Sequence, residues 1–116
     1  MKRDDAVAIL AALAQNNRLD VFRLLVEAGP DGMPAGHVAV SLGLQPSALS
    51  FHLDRLREVG LVEVRREGRS MIYAARFDAM NSLVSYLTDH CCQGRPELCK
   101  PSVRRAQRGR KPETVP

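Results

Sequence analysis

Tryptophan is absent from this chain, and aromatic residues make up only 4% of it. A core drawn from its 116 residues must therefore be built from Leu, Val, Ile and Ala, as in small helical domains. No apolar run approaches the roughly 18 residues of a membrane span. Met1-Lys2-Arg3-Asp4-Asp5 opens the chain without the apolar block of a secretory signal, so a cytoplasmic protein with no membrane partner is expected. The length fits one domain and is too short for two ordinary ones. Cysteine is scarce as well: there are three, which cannot all pair within one chain. In a reducing cytosol thiols persist, which excludes a disulfide framework and leaves metal or redox chemistry open. No paired nucleophile and base, no glycine-rich phosphate loop and no carboxylate constellation is present. An enzyme is not expected, nor an organic cofactor.

The net charge of +4 is unevenly placed. Lys100, Arg104, Arg105, Arg108, Arg110 and Lys111 stand against Glu113 alone, so residues 100–116 carry +5 and residues 1–99 carry −1. A nucleic-acid reading of the folded part must then rest on local motifs rather than on overall basicity.

Apolar spacing predicts those motifs. Ala6, Ile9, Leu10 and Leu13 recur at i, i+3, i+4 and i+7, giving a helix over 4–15 with Asp4 and Asp5 in its first turn. A second helix runs from about Asn17 to Ala28, capped by Asn16 or Asn17, with Leu19, Phe22, Leu25 and Val26 inward and Gly29-Pro30 at its end. Asp31-Gly32-Met33-Pro34 reads as a turn. A short helix over Ala35–Leu42 stops at Gly43, and Pro46 opens another that runs to about Val59 with Leu49, Leu53 and Leu56 buried. Two helices joined by a short glycine-containing turn make a helix-turn-helix. After Gly60 the period becomes two. Leu61, Val62 and Val64, the turn Glu67-Gly68-Arg69, and Met71, Ile72 and Tyr73 form a hairpin ending near Arg76, the wing of a winged helix. Helical spacing returns from Asp78 to about Cys91 with Met80, Leu83, Val84 and Leu87. The fold class expected is mainly α with a small β-hairpin, a homodimeric winged helix-turn-helix. Its domain spans residues 1–99, with a C-terminal sensor helix. Residues 100–116 form a disordered basic tail, too polar to offset ordering entropy.

In a helix-turn-helix the N-terminal part of the second helix enters the major groove. Gln45, Ser47, Ser50 and His52 offer groups that bond base edges, and small Ala48 permits close approach. Arg65, Arg66 and Arg69 crowd the hairpin tip, where a wing meets phosphates or the minor groove, and Arg55 and Arg57 add backbone contacts. The partner expected is double-stranded operator DNA. One recognition helix covers too few base pairs for operator-level specificity, so a twofold dimer is expected, joined through the first helix and the helix from residue 78.

Leu49-Ser50-Phe51-His52-Leu53-Asp54-Arg55-Leu56-Arg57-Glu58-Val59-Gly60-Leu61-Val62 is similar to the Ser-x-His-Leu-x-x-Leu-x-x-x-Gly-Leu-Val core of the ArsR family of metalloregulatory repressors, and Asn17-Arg18-Leu19 resembles the opening of that family's second helix. The likeness spans roughly residues 5–92. It implies a homodimer that binds its operator and releases it on binding metal. The Cys-x-Val-Cys arsenic pattern of some members is absent, since Gly36-His37-Val38-Ala39-Val40 carries no thiol. The zinc pattern Asp-x-His on the last helix is missing too, because Asp78 is followed by Ala79 and Met80. The chain resembles instead an arsenic-responsive subgroup with a Cys-Cys pair and a third Cys at the end of the last helix.

Cys91, Cys92 and Cys99 lie within nine consecutive residues. Three thiolates are one short of a closed structural zinc site but complete the pyramid of a soft trivalent centre, As(III) or Sb(III). Adjacent helical residues point about 100° apart, so Cys91 and Cys92 converge on one atom only if the helix end unwinds, and Gly94 and Pro96 supply the break. Three alternatives stand beside this reading. Oxidation of the thiols would make a redox switch. His90 would complete a four-ligand zinc or cadmium site. A sequestering protein would also cluster thiols, though it would need no helix-turn-helix.

Overall fold

The computed structural model describes residues 1–89. The order is α1 (Arg3–Leu13), α2 (Asn16–Ala28), β1 (Met33–Pro34), α3 (Ala35–Leu42), α4 (Pro46–Glu58), β2 (Val62–Glu67), β3 (Ser70–Ala75) and α5 (Phe77–Thr88). Among the described residues, five helices and a three-stranded antiparallel sheet in the order β1-β3-β2 constitute a winged helix-turn-helix. Two units divide the chain, residues 1–84 and 85–116. The first holds the core, and the described part of the second completes α5 and reaches Asp89. Cys91, Cys92 and Cys99, the end of the predicted last helix and the tail from residue 100 lie outside the described residues.

Each helix contributes one apolar stripe. Ala6, Ile9 and Ala12 of α1, Val21, Phe22 and Leu25 of α2, Val38 of α3 and Leu49, Leu53 and Leu56 of α4 meet in one cluster. It is closed by Leu61, by Val62 and Ala75 of the sheet and by Leu83 of α5. The helix starts differ in detail from expectation. Gln15, not Asn16 or Asn17, caps α2: its backbone is extended and its Oε1 accepts from the Arg18 amide at 2.8 Å. Leu19, expected inward, is 41% exposed. At 100° per residue it falls to the side of the stripe that Val21, Phe22 and Leu25 define. Half-buried Arg18 falls within the stripe instead, between Leu25 and Phe22 around the helix, its Nε donating to the Ala12 carbonyl at 2.7 Å. Leu10 of α1 likewise turns outward, at 43% exposure.

The predicted turn at Asp31–Pro34 contains a strand. Met33 and Pro34 pair with Tyr73 and Ile72, so β1 adds a third strand beside β3. Gly32 makes this possible. Its φ is +76°, and a Cβ there would sit 2.5 Å from the Tyr73 carbonyl oxygen and 3.0 Å from Ile72 Cγ2. Gly32→Ala should therefore cost about 2 to 3 kcal/mol, combining left-handed strain with displacement of β1 from β3. Urea denaturation checks this; a loss below about 0.5 kcal/mol would show that β1 pairing is not needed for stability.

Candidate nucleic-acid interface

α3 ends at Gly43, whose φ of +64° is left-handed and lets the Leu44 amide reach back to the Ala39 carbonyl at 3.0 Å. Residues 43–45 then turn the chain, and Pro46 starts α4 where its missing amide is not needed. The phase of α4 is fixed by Leu49, Leu53 and Leu56, all buried, so its other side faces outward. Ser47, Ser50, Phe51, Asp54 and Arg55 lie exposed there, with Ala48 half-buried at its edge. Gln45 is exposed as well, and its side chain is not spent on capping α4. The expected polar groups thus stand together at the start of a helix whose back is anchored in the core. Arg55 pairs with Glu58 at 3.1 Å and Arg57 with Asp54 at 3.9 Å. Such exposed pairs are weak and exchange readily for phosphate contacts.

His52 is a correction. It is only 7% exposed, on the inward side of α4, and its Nδ1 is buried without a hydrogen-bond partner among the described residues. A side chain so placed offers base edges far less polar surface than exposed Ser47 or Ser50. Burial, and secondarily the Arg18 guanidinium, hold its pKa below the ordinary histidine value. Below about pH 6.5 the unfolded chain takes up a proton that the folded chain refuses. Stability is therefore full above that window and declines as pH falls through it. Urea unfolding at pH 7.5 and pH 5.0 should show a steeper acid loss for wild type than for His52→Gln, and equal slopes would refute the assignment.

The wing is β2, the Gly68-Arg69 turn and β3, in register from Val62 opposite Ala75 to Glu67 opposite Ser70. Cross-strand partners share a face, which separates the three arginines expected at its tip. Arg65 lies opposite buried Ile72. Its Nη2 donates to the Asp31 carbonyl at 2.7 Å and its Nε to Glu67 at 2.6 Å, so it braces the loop before β1 against the wing. Arg66 lies opposite Met71, and its Nε donates to the Gly68 carbonyl at 3.1 Å, holding the turn. Arg69 makes no hydrogen bond or ion pair among the described residues and is exposed at the turn. Sequence spacing weighed the three equally; the register makes Arg69 the cation least committed to the fold.

Among the described residues no group of three or more His, Cys, Asp or Glu is arranged to hold a metal ion. Asp78, where the zinc pattern would begin, is exposed and ion-paired with Arg76 at 2.9 Å, which holds its carboxyl below the usual carboxylate range. No helix among the described residues is long and apolar enough to cross a membrane.

An anchored helix with an exposed polar start, set beside an arginine-bearing wing, defines a winged helix-turn-helix transcriptional regulator that binds DNA. Comparison with known proteins agrees. A family profile described as a helix-turn-helix domain matches residues 13–65. The HTH-type transcriptional regulator YgaV of Escherichia coli K12 is 32% identical over 89 residues, covering 77% of this chain and 88% of that protein. The structure of HlyU from Vibrio cholerae N16961 superposes with a TM-score of 0.60 at 33% identity, over 75% of this chain and 97% of that one. The homodimeric winged helix-turn-helix DNA-binding domain of Mb0332 from Mycobacterium bovis, titled a "possible ArsR-family transcriptional regulator", gives 0.60 at 29% identity, over 75% and 81%. The chain belongs to the ArsR family of transcriptional regulators.

Proposed function

We propose that this protein is a homodimeric repressor that leaves its operator when As(III), or Sb(III), is captured by the thiolates of Cys91, Cys92 and Cys99. One observation carries the reading: all the thiols of a DNA-binding regulator fall in nine residues, beginning three positions after α5 ends at Thr88. Neutral arsenite and three thiols condense to a tris-thiolate with release of three waters, so the donor set suits the ion without a fourth ligand. α1 and α5 support the dimer. Val7 and Leu10 of α1 and Val84 and Leu87 of α5 are each between 43% and 57% exposed, apolar surface that a second copy would cover. The domain reading, residues 1–99 with the basic tail following, is part of the proposal, as is residence in the cytoplasm, where the thiols stay reduced.

Coupling would run through α5. Capture just beyond its end shifts the helix, and with it the spacing of the two α4 helices over successive major grooves. The test is a gel shift on the DNA upstream of the protein's own gene, with arsenite, peroxide or zinc added in separate arms. Release by arsenite alone supports the proposal. Release only by peroxide or only by zinc would replace it with a redox or divalent-metal switch, and no specific shift at all would remove the repressor reading.

A further inference from the structure

Phe51 is 59% exposed although it is the largest apolar side chain on α4. Helical geometry places it at the middle of the outward face: at 100° per residue Ser47, Phe51 and Asp54 fall within an arc of about 60°, opposite Leu49, Leu53 and Leu56. Its ring is also braced. The centroid lies 6.0 Å from that of His52, edge-on at 63°, and His52 is itself buried. The phenyl group thus touches a buried side chain while more than half of it faces water.

A phenyl ring has no donor or acceptor with which to read the hydrogen-bond pattern of a base pair. What it can read is the one apolar group that the major groove displays, the C5-methyl of thymine. Contact removes both the methyl and the exposed ring from water, a gain that cytosine, which lacks the methyl, does not offer. The neighbours on the face carry other chemistry: a serine hydroxyl, as on Ser47 and Ser50, can bond to several bases, and a carboxylate such as that of Asp54 can accept from a cytosine amino group. Wedging of an aromatic ring between base steps is a minor-groove device, whereas a recognition helix seated in the major groove aims its outward face at base edges.

We infer that Phe51 is a specificity-determining residue that reads the 5-methyl group of one thymine in each operator half-site. The inference rests on α4 being the DNA-reading helix, and its test separates the two. A duplex is first selected from random double-stranded DNA by the wild-type protein, and each thymine in it is then replaced singly by deoxyuridine, which removes only the methyl group. For wild type, one position per half-site should lose about three- to fivefold in affinity, the equivalent of one buried methyl group. Phe51→Ala, checked for folding by thermal melting, should bind the thymine and deoxyuridine duplexes equally. Phe51→Leu, which keeps an apolar tip, should retain part of the preference. The inference is overturned if no thymine is sensitive in wild type, or if Phe51→Ala keeps the wild-type ratio. If no duplex is enriched, the DNA-reading role of α4 fails and the inference falls with it.

Discussion

Leu53→Ala is expected to lower the free energy of unfolding by about 3 to 5 kcal/mol. Leu53 is 1% exposed and sits between Leu49 and Leu56 on the stripe that fixes the phase of α4, in the same cluster as Val21 and Leu25 of α2. Truncation removes the transfer free energy of the deleted atoms and leaves a cavity among neighbours that are themselves fully buried and relax little. Against a total of about 5 to 15 kcal/mol for a domain of this kind, that is a large fraction of the whole. The functional consequence follows from position: the stripe that anchors α4 from behind also sets which residues it turns outward. Urea denaturation reads the effect as a lower midpoint at unchanged slope. A loss below about 1 kcal/mol would mean that the back of α4 is not packed as described.

Replacing Cys91, Cys92 or Cys99 singly by Ser is expected to leave operator affinity as in wild type and to eliminate its response to arsenite. For wild type, arsenite should weaken operator binding about 5- to 150-fold, the span of an ordinary allosteric coupling of about 1 to 3 kcal/mol. Serine is close in size, but its hydroxyl remains protonated at neutral pH and is a hard ligand, so a two-thiolate site loses both the third bond and the soft donor set. None of the three positions belongs to α4 or the wing, so DNA binding itself should persist. Fluorescence anisotropy of a labelled operator duplex measures both quantities on one sample. Normal release by every single variant would show that the thiols are not the sensing site.

Most of the architecture was legible because each helix must bury one stripe, and the stripes of Ile9, Leu25 and Leu53 stand out against polar neighbours. The change of period after Gly60 announced the hairpin for the same reason. What escaped notice depended on partners distant in sequence. β1 exists because Met33 and Pro34 find Tyr73 and Ile72, a pairing with no local signature in a stretch of turn-forming residues. Arg18 can hold an inward position on α2 because the Ala12 carbonyl at the end of α1 offers its guanidinium an acceptor, while Leu19 falls to the side. The inward placing of His52 was, by contrast, present in the pattern. It lies three residues after Leu49 and four before Leu56, at the edge of the buried arc about 40° from Leu56, and its polar chemistry was allowed to outweigh its phase. The same phase brings Phe51 outward. The separate fates of Arg65, Arg66 and Arg69 required the strand register and could not be read from their clustering.

In the proposed function one molecule couples thiolate capture of a trivalent metalloid to release of DNA. The most direct measurement is a titration of the reduced protein, bound to a labelled operator duplex, with arsenite. Near-ultraviolet thiolate absorbance counts the ions bound while anisotropy follows the DNA. One As(III) per subunit is expected, with the duplex released in step as the sites fill. Stoichiometric binding with the duplex still held, or release without bound arsenic, would contradict it.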